Sequence, residues 1–265
     1  MEVEGVGLAT MLALIATRGQ VIDRGAYLVA LTPEDPGYHH GNLLVLPRPP
    51  RPGELAWSLA LFAREVAALP AVRHVTLGWR ADTPDAPDLI APPPDELTAA
   101  GFGVELDLVM TGAAPRPAAA PPGIELRPLA PDELARAAEL RFAGSDDQGE
   151  AYRQFLHRRA AWQRDLVVRG LARFWGAFDD RTLVACLGVV RLGRLARYQD
   201  VQTAASHRRT GIAAALLSAA GREAIAAGAE QLVIMTAAGS DGERVYARAG
   251  FRTVERIALA CRRPP

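Results

Sequence analysis

The segment Asp200-Val201-Gln202-Thr203-Ala204-Ala205-Ser206-His207-Arg208-Arg209-Thr210-Gly211-Ile212-Ala213 holds the residues best suited to bind an anion. It reads as a strand, an arginine-rich turn and a glycine that opens a helix. The apolar side of that helix carries Ala215, Leu216, Leu217, Ala220, Ala224 and Ile225. The first backbone N–H groups of a helix have no intrahelical partner, and the helix dipole favours negative charge beside them. A strand that delivers the chain to such a point makes a phosphate cradle. Gly211 lets the backbone approach a ligand without a Cβ in the way, and Ala213 keeps the next position small. Taken alone, the spacing Arg-x-x-Gly-x-Ala also fits an ordinary helix start with two solvated arginines.

The elements that follow narrow the choice. Gly228 stops the helix, and Gln231-Leu232-Val233-Ile234-Met235-Thr236 reads as a short buried strand. A polar loop, Gly239-Ser240-Asp241-Gly242, leads to a short helix from Glu243 to Ala249. Gly250 ends it, and Phe251 begins a strand that runs to Ala260. Arg208-x-x-Gly211-x-Ala213 resembles the coenzyme A pyrophosphate loop of the GNAT acetyltransferase superfamily. Val245-Tyr246-Ala247-Arg248-Ala249-Gly250-Phe251 is similar to that family's Tyr-x-x-x-Gly-Phe signature, at a separation from Gly211 typical of the family. The order of elements matches the second half of the GNAT fold as the resemblance implies it.

Upstream, Gly112 to Gly123 is rich in proline and alanine and reads as an extended, semi-stiff linker over residues 113–123. Beyond it, Ile124-Glu125-Leu126-Arg127-Pro128 alternates as a strand, and Pro131-Asp132-Glu133 opens a helix with acids in its first turn. A second helical stretch spans Glu150 to Gly170. Strands follow at Ala172–Phe178, Thr182–Val190 and Arg197–Thr203. The resemblance therefore covers residues 124–265 as one complete domain.

Residues 1–112 are read as a second, degenerate copy. Ala26–Leu31 and Asn42–Leu46 are strands, and Glu54–Ala68 is a helix with Leu55, Leu59, Phe62 and Val66 on one face. Ala100-Gly101-Phe102 precedes an apolar strand, Val104 to Met110, as Ala249-Gly250-Phe251 does later. No Arg-x-x-Gly-x-Gly/Ala loop precedes a helix in this half, and Thr98 stands where the later copy has Tyr246. The expected fold is α+β: two GNAT-like domains in tandem, each a mixed, mostly antiparallel sheet flanked by helices, with chemistry only in the second. Tyr38-His39-His40-Gly41-Asn42 is read as a structural turn, with a contribution to an acceptor pocket as the alternative. Adjacent histidines cannot share one strand face, and the ligands that a metal site needs are not clustered around them.

Composition bounds these readings. The chain has 265 residues and a formal net charge of +0. Its basic residues are all arginine, a pattern expected of a GC-rich bacterial genome. Acids outnumber arginines up to residue 122 and arginines outnumber acids after it, which suits a ligand with several phosphates. Nucleic acid is not expected, since aromatic and basic residues do not interleave. An uncharged apolar run of membrane-spanning length is absent, and the acidic start Met1-Glu2-Val3-Glu4 does not suit a secretory leader. Cys186 and Cys261 read as small buried strand residues, not as a disulfide or metal framework. The cytoplasm is the expected compartment.

The resemblance implies acetyl-CoA as co-substrate, no metal, and transfer of an acetyl group to the amine of a small molecule or peptide. A lysine-like amine must lose a proton to attack, at a cost of about 4.6 kcal/mol at pH 7, so a base is sought. Asp200 is the candidate, with Glu230 behind it. A solvated charge or an arginine partner is the alternative for Asp200, and Gln199 is the alternative cleft-facing residue because adjacent strand residues point opposite ways. The departing thiolate needs a proton, which Tyr246 can supply as a general acid; packing on the sheet is the other reading of that ring. The backbones of Val201 and Thr203, together with Arg208, Arg209, Thr210, Gly211, Ile212 and Ala213, are the implied cofactor contacts. A non-catalytic acyl-CoA-binding or regulatory protein with the same fold is the alternative to an enzyme.

Overall fold

The structure is a computed structural model that describes residues 5–81 and 95–263. The acidic start at residues 1–4, on which the argument against a leader rests, lies outside the described residues. In chain order the elements are α1 (Val6–Ile15), β1 (Gln20–Asp23), β2 (Leu28–Leu31), β3 (Leu43–Val45), α2 (Leu55–Glu65), β4 (Val75–Arg80), α3 (Asp95–Ala99), β5 (Gly103–Gly112), β6 (Ile124–Pro128), α4 (Leu134–Ala143), α5 (Glu150–Val168), β7 (Ala172–Asp179), β8 (Thr182–Leu192), β9 (Leu195–Thr203), α6 (Ile212–Ala226), β10 (Gln231–Ala237), α7 (Asp241–Arg248) and β11 (Arg252–Arg262). The class is α+β. No described helix is long and apolar enough to cross a membrane. The apolar run that opens the chain is α1, with Leu8, Met11, Leu12, Leu14 and Ile15 all buried.

The chain forms two compact units, and neither is continuous in sequence. The first comprises Met1–Val109, Met235–Gly239 and Thr253–Pro265; the second comprises Met110–Ile234 and Ser240–Arg252. Sequence boundaries at 112 and 124 follow the chain, whereas packing does not: the last strand belongs to the first unit. There β11 pairs antiparallel with β4, from Ile257 opposite Arg80 to Arg262 opposite Val75. Ala258 and Ala260 on β11 join Leu44, Phe62, Leu77, Trp79 and Leu97 in one apolar core. Within this unit β1–β2 and β2–β3 are antiparallel and β3–β4 is parallel.

In the second unit β6, β7, β8 and β9 form an antiparallel run, and β10 joins β9 in parallel. Phe174 faces the side of α4 and α5, whereas Arg173 and Trp175 reach Glu223 on α6, at 3.1 and 2.8 Å. Strand alternation thus places α4 and α5 on one face of the sheet and α6 on the other. Residues 113–123 form neither helix nor strand, but they are not a free linker. Arg116 N–H donates to the Ala249 carbonyl (2.8 Å), and Ala118 N–H donates to Ser218 Oγ (3.2 Å). The segment is a strap docked on the second unit.

Candidate active site

The loop after β9 is built from two left-handed backbone positions. Arg209 has φ 64° and Gly211 φ 94°, with Thr210 between them donating from Oγ1 to the His207 carbonyl at 2.7 Å. A Cβ at Gly211 would meet nothing within 4 Å. Glycine is therefore required there by the backbone angle, which an L side chain adopts at a cost of about 1–2 kcal/mol. The first intrahelical bond of α6 runs from Ala215 N–H to the Gly211 carbonyl (3.1 Å), and no side chain caps the helix. The N–H groups of Ile212, Ala213 and Ala214 lie ahead of that bond, at the positive end of the helix dipole. The Ile212 side chain is buried and Leu216 and Leu217 anchor the helix behind it, so the donors sit on a fixed element. Arg208 and Arg209 are exposed beside them. Arg208 Nε donates to the Thr203 carbonyl at 3.3 Å.

Just before the loop, β9 leaves the regular ladder. Cys186 pairs with Gln202 and Gly188 with Gln199, so two residues of β9, Asp200 and Val201, face one residue of β8. This is a β-bulge, and Asp200 takes φ 53° within it. On its other side, β9 pairs with β10 only at Leu195, Ala196 and Arg197. The backbone of Asp200 and Val201 consequently has no ladder partner among the described pairs. Thr203 still pairs with Ala185, and Ala204 N–H donates to the Val184 carbonyl at 2.8 Å.

The Asp200 carboxylate, expected as a base, is committed elsewhere. Arg159 Nε donates to both its oxygens (3.2 and 3.1 Å), Gln163 Nε2 donates to Oδ2 (2.6 Å), and Arg141 Nη1 donates to Oδ1. Burial alone would raise its pKa, but Arg159 and Arg141 outweigh that and hold it below the usual carboxylate value. A carboxylate so stabilised in its charged form is a weak proton acceptor. Strand alternation also fails at the bulge: Gln199 Oε1 accepts from Arg159 Nη2 at 3.4 Å, so neighbouring residues reach one guanidinium. The Cys186 thiol lines a small cavity together with Asp200 and is pushed up to about 12, by burial first and then by Asp200. Glu230, the other carboxylate, pairs with exposed Arg194.

Tyr246 lies on α7, whose start is capped by Ser240 Oγ accepting from Glu243 N–H at 3.3 Å. Its ring is buried, and burial pushes its hydroxyl up to about 12, so it holds its proton throughout the physiological range. The helix ends at Gly250 (φ 101°), with Phe251 N–H donating to the Tyr246 carbonyl at 3.0 Å. Phe251 meets Tyr198 of β9 edge-on, ring centroids 5.7 Å apart, and Tyr198 donates its hydroxyl to the Leu217 carbonyl of α6 at 2.8 Å. Tyr198 thus ties the strand, the cradle helix and the junction after Tyr246 together. Sequence reasoning passed over it because a strand tyrosine carries no mark of its partners.

A model of the GNAT acetyltransferase domain matches residues 142–259. Residues 142–259 are a GNAT domain. Among curated proteins nothing matches the chain. Among solved structures it is similar to a conserved protein of unknown function from Staphylococcus epidermidis ATCC 12228, with TM-score 0.73 and 10% identity over 93% of this chain and 95% of that one. A GCN5-related N-acetyltransferase from Kribbella flavida gives TM-score 0.65 and 18% identity over 98% and 96% of the two chains. A tandem GNAT protein from the clavulanic acid biosynthesis pathway gives TM-score 0.54 and 17% identity over 83% and 74%.

The first unit repeats local features of the GNAT domain while closing its loop. Gly101 has φ 79°, and Phe102 N–H donates to the Leu97 carbonyl at 3.0 Å, the same helix end as at Gly250. Leu97, fully buried, therefore stands where the GNAT domain has Tyr246; the register that put Thr98 there is one residue off. Between parallel strands β3 and β4, α2 takes the place that α6 has between β9 and β10. The loop before α2 is Leu46-Pro47-Arg48-Pro49-Pro50-Arg51-Pro52-Gly53-Glu54. Its prolines carry no N–H. Arg51 N–H donates to Glu54 Oε2 (2.9 Å) and Gly53 N–H to Glu96 Oε2 (2.9 Å). Arg48 binds both oxygens of Glu54, at 2.7 and 2.9 Å. Two carboxylates of the chain itself hold the groups that would meet an anion.

The paired histidines fall in a turn. Asn42 Nδ2 donates to the carbonyls of Asp35 (2.9 Å) and Tyr38 (3.1 Å), and its Oδ1 accepts from Thr32 N–H (2.7 Å). The His39 ring packs on His74, centroids 4.4 Å apart. Among the described residues no group of three or more His, Cys, Asp or Glu side chains is placed to hold a metal ion.

Proposed function

We propose that the protein is an acetyl-CoA-dependent N-acetyltransferase with one active site, built on residues 200–250. The observation that carries this reading is the uncapped N-terminus of α6 behind Gly211, next to the β-bulge at Asp200 and Val201. The donors of Ile212, Ala213 and Ala214, with Arg208 and Arg209 beside them, suit a pyrophosphate. The bulge, where β9 leaves the register of β8, suits an amide-bearing chain and a thioester carbonyl. GNAT domains use acetyl-CoA, which fits this donor set.

In the proposed reaction the neutral amine forms a bond to the acetyl carbon and the carbon–sulfur bond breaks. Tyr246 gives its hydroxyl proton to the departing thiolate, and the proton of the amine passes to solvent. Burial keeps the Tyr246 hydroxyl protonated at neutral pH but makes it a weaker acid than a free phenol, so its reading as the donor rests on its place in the family signature and not on its pKa. Among its described residues the first unit offers neither the hydroxyl nor an open cradle, and we assign it no second site.

The acceptor is the amine of a small molecule or peptide. Acetyl-CoA incubated with a panel of amines, from amino acids to polyamines and peptide N-termini, tests the reading through release of coenzyme A. Release with one class supports an enzyme. The commitment of Asp200 to arginines favours a second reading, an acyl-CoA-binding protein without catalysis, which predicts tight binding and no release above the acetyl-CoA blank.

A further inference from the structure

Asp200 holds an unusual position in the second unit. It is a non-glycine residue in a left-handed conformation, at a bulge, with its carboxylate bonded to three side chains from two different helices. Arg141 comes from α4, and Arg159 and Gln163 come one turn apart on α5. Arg159 also reaches Gln199, so the clamp grips both sides of the bulge. Helix α4 ends at Gly144, where a Cβ would stand 2.5 Å from the side-chain Nε2 of Gln202, the residue after the bulge. Among the described pairs, Asp200 and Val201 lie outside the registers of β9 with β8 and with β10.

We propose that Asp200, Arg141 and Arg159 form a positioning clamp that fixes the bulge backbone against which an acyl thioester lies, and that Asp200 does not act as the base. This rests on the acetyl-CoA reading above. A bulged backbone segment outside the strand register would otherwise sample other conformations, and a left-handed aspartate relaxes to the right-handed or extended region when released. Bonds from rigid helices remove that freedom before a ligand arrives, which is preorganisation. The lowered pKa of Asp200 agrees with a charge held for structure and not for proton exchange.

The clamp predicts a split between two parts of one ligand. The full chain is titrated calorimetrically with ADP, which carries the adenosine and pyrophosphate, and with acetyl-CoA, which adds the pantetheine and thioester. Asp200→Ala frees the bulge, and acetyl-CoA affinity is expected to fall on the order of 10- to 100-fold, as misplaced contacts do, while ADP affinity stays at the wild-type value. Asp200→Asn keeps the left-handed preference and an acceptor for the arginines, and it is expected to restore most of the acetyl-CoA affinity. Arg159→Met serves as the second variant, made on the opposite partner, with circular dichroism to establish that each chain is folded. Equal loss of both ligands in Asp200→Ala, unchanged binding of both, or failure of Asp200→Asn to restore affinity in a folded chain overturns the clamp. Absence of acetyl-CoA binding to the wild type overturns the cofactor reading itself. With an accepting amine in hand, Asp200→Asn is expected to keep the wild-type pH profile of kcat/KM. A base would lose the rising limb.

Discussion

Gly211 is the position where a single change separates backbone geometry from charge. Its φ of 94° is a conformation that L residues rarely adopt, yet a Cβ there has open space for 4 Å. Alanine therefore meets no clash and suffers only the left-handed penalty, about 1–2 kcal/mol. If the free loop relaxes by that amount, acetyl-CoA binding weakens about 5- to 30-fold. Aspartate adds a carboxylate at the mouth of α6, where Ile212, Ala213 and Ala214 offer N–H groups. Charge-assisted bonds contribute about 1.5–3 kcal/mol each, and losing two of them weakens binding by roughly 10²- to 10⁴-fold. Aspartate is also a favourable N-cap, so the helix start survives and the melting temperature should stay near that of the alanine variant. Calorimetric titration of the full chain with acetyl-CoA, beside a thermal melt, reads both quantities. A folded Gly211→Asp chain that binds as tightly as wild type would refute the placement of the anion on α6.

Five further outcomes follow from the same geometry. Tyr246→Phe should lower the single-turnover rate by about 10²–10⁴-fold with little change in acetyl-CoA affinity, since a general acid acts only as the thiolate departs; unchanged chemistry would leave Tyr246 as a packing residue. Gly221→Ala would place a Cβ 2.2 Å from the Tyr198 hydroxyl and 2.8 Å from Pro115, so overpacking should cost about 1–3 kcal/mol; adding Tyr198→Phe should recover part of it, and strictly additive melts would argue against that contact. Titration of the wild type should give one acetyl-CoA per chain, and a fragment cut at residue 112 should not fold, because β4 loses its partner β11; a cooperative melt of that fragment would contradict the exchange of β11. Burial holds the pKa of His39 down to about 4 and lowers that of His74, so both protonate more readily in the unfolded chain. Their contribution is complete above about 6.5, the unperturbed value, and is lost as pH falls toward about 4; a melting temperature flat across that window, or no flattening of its slope by His39→Asn, would count against the packed pair.

The sequence by itself determined what is written within a few adjacent residues. The strand, arginine turn and glycine of the cradle were legible because an N-terminal helix turn and a left-handed glycine are local properties of the chain. The same holds for the Tyr246–Phe251 helix end and its copy at Leu97–Phe102, apart from the one-residue slip that pointed to Thr98. The turn at residues 38–42 was legible for the same reason. Tertiary structure alone decided who meets whom. Strand β11 alternates like any strand, and nothing in it names β4, more than 170 residues earlier, as its neighbour. Arg141 and Arg159 lie 59 and 41 residues from Asp200, so its own strand left both a base and an arginine partner open, and only packing supplied the arginines. The Pro/Ala-rich stretch read as a linker because composition reports stiffness, not what the chain lies against. The bulge at Asp200 needed a register on β8, which no residue of β9 specifies. Ladder bonds and ion pairs are fixed by where distant segments pack, and a local pattern constrains each partner without naming the other.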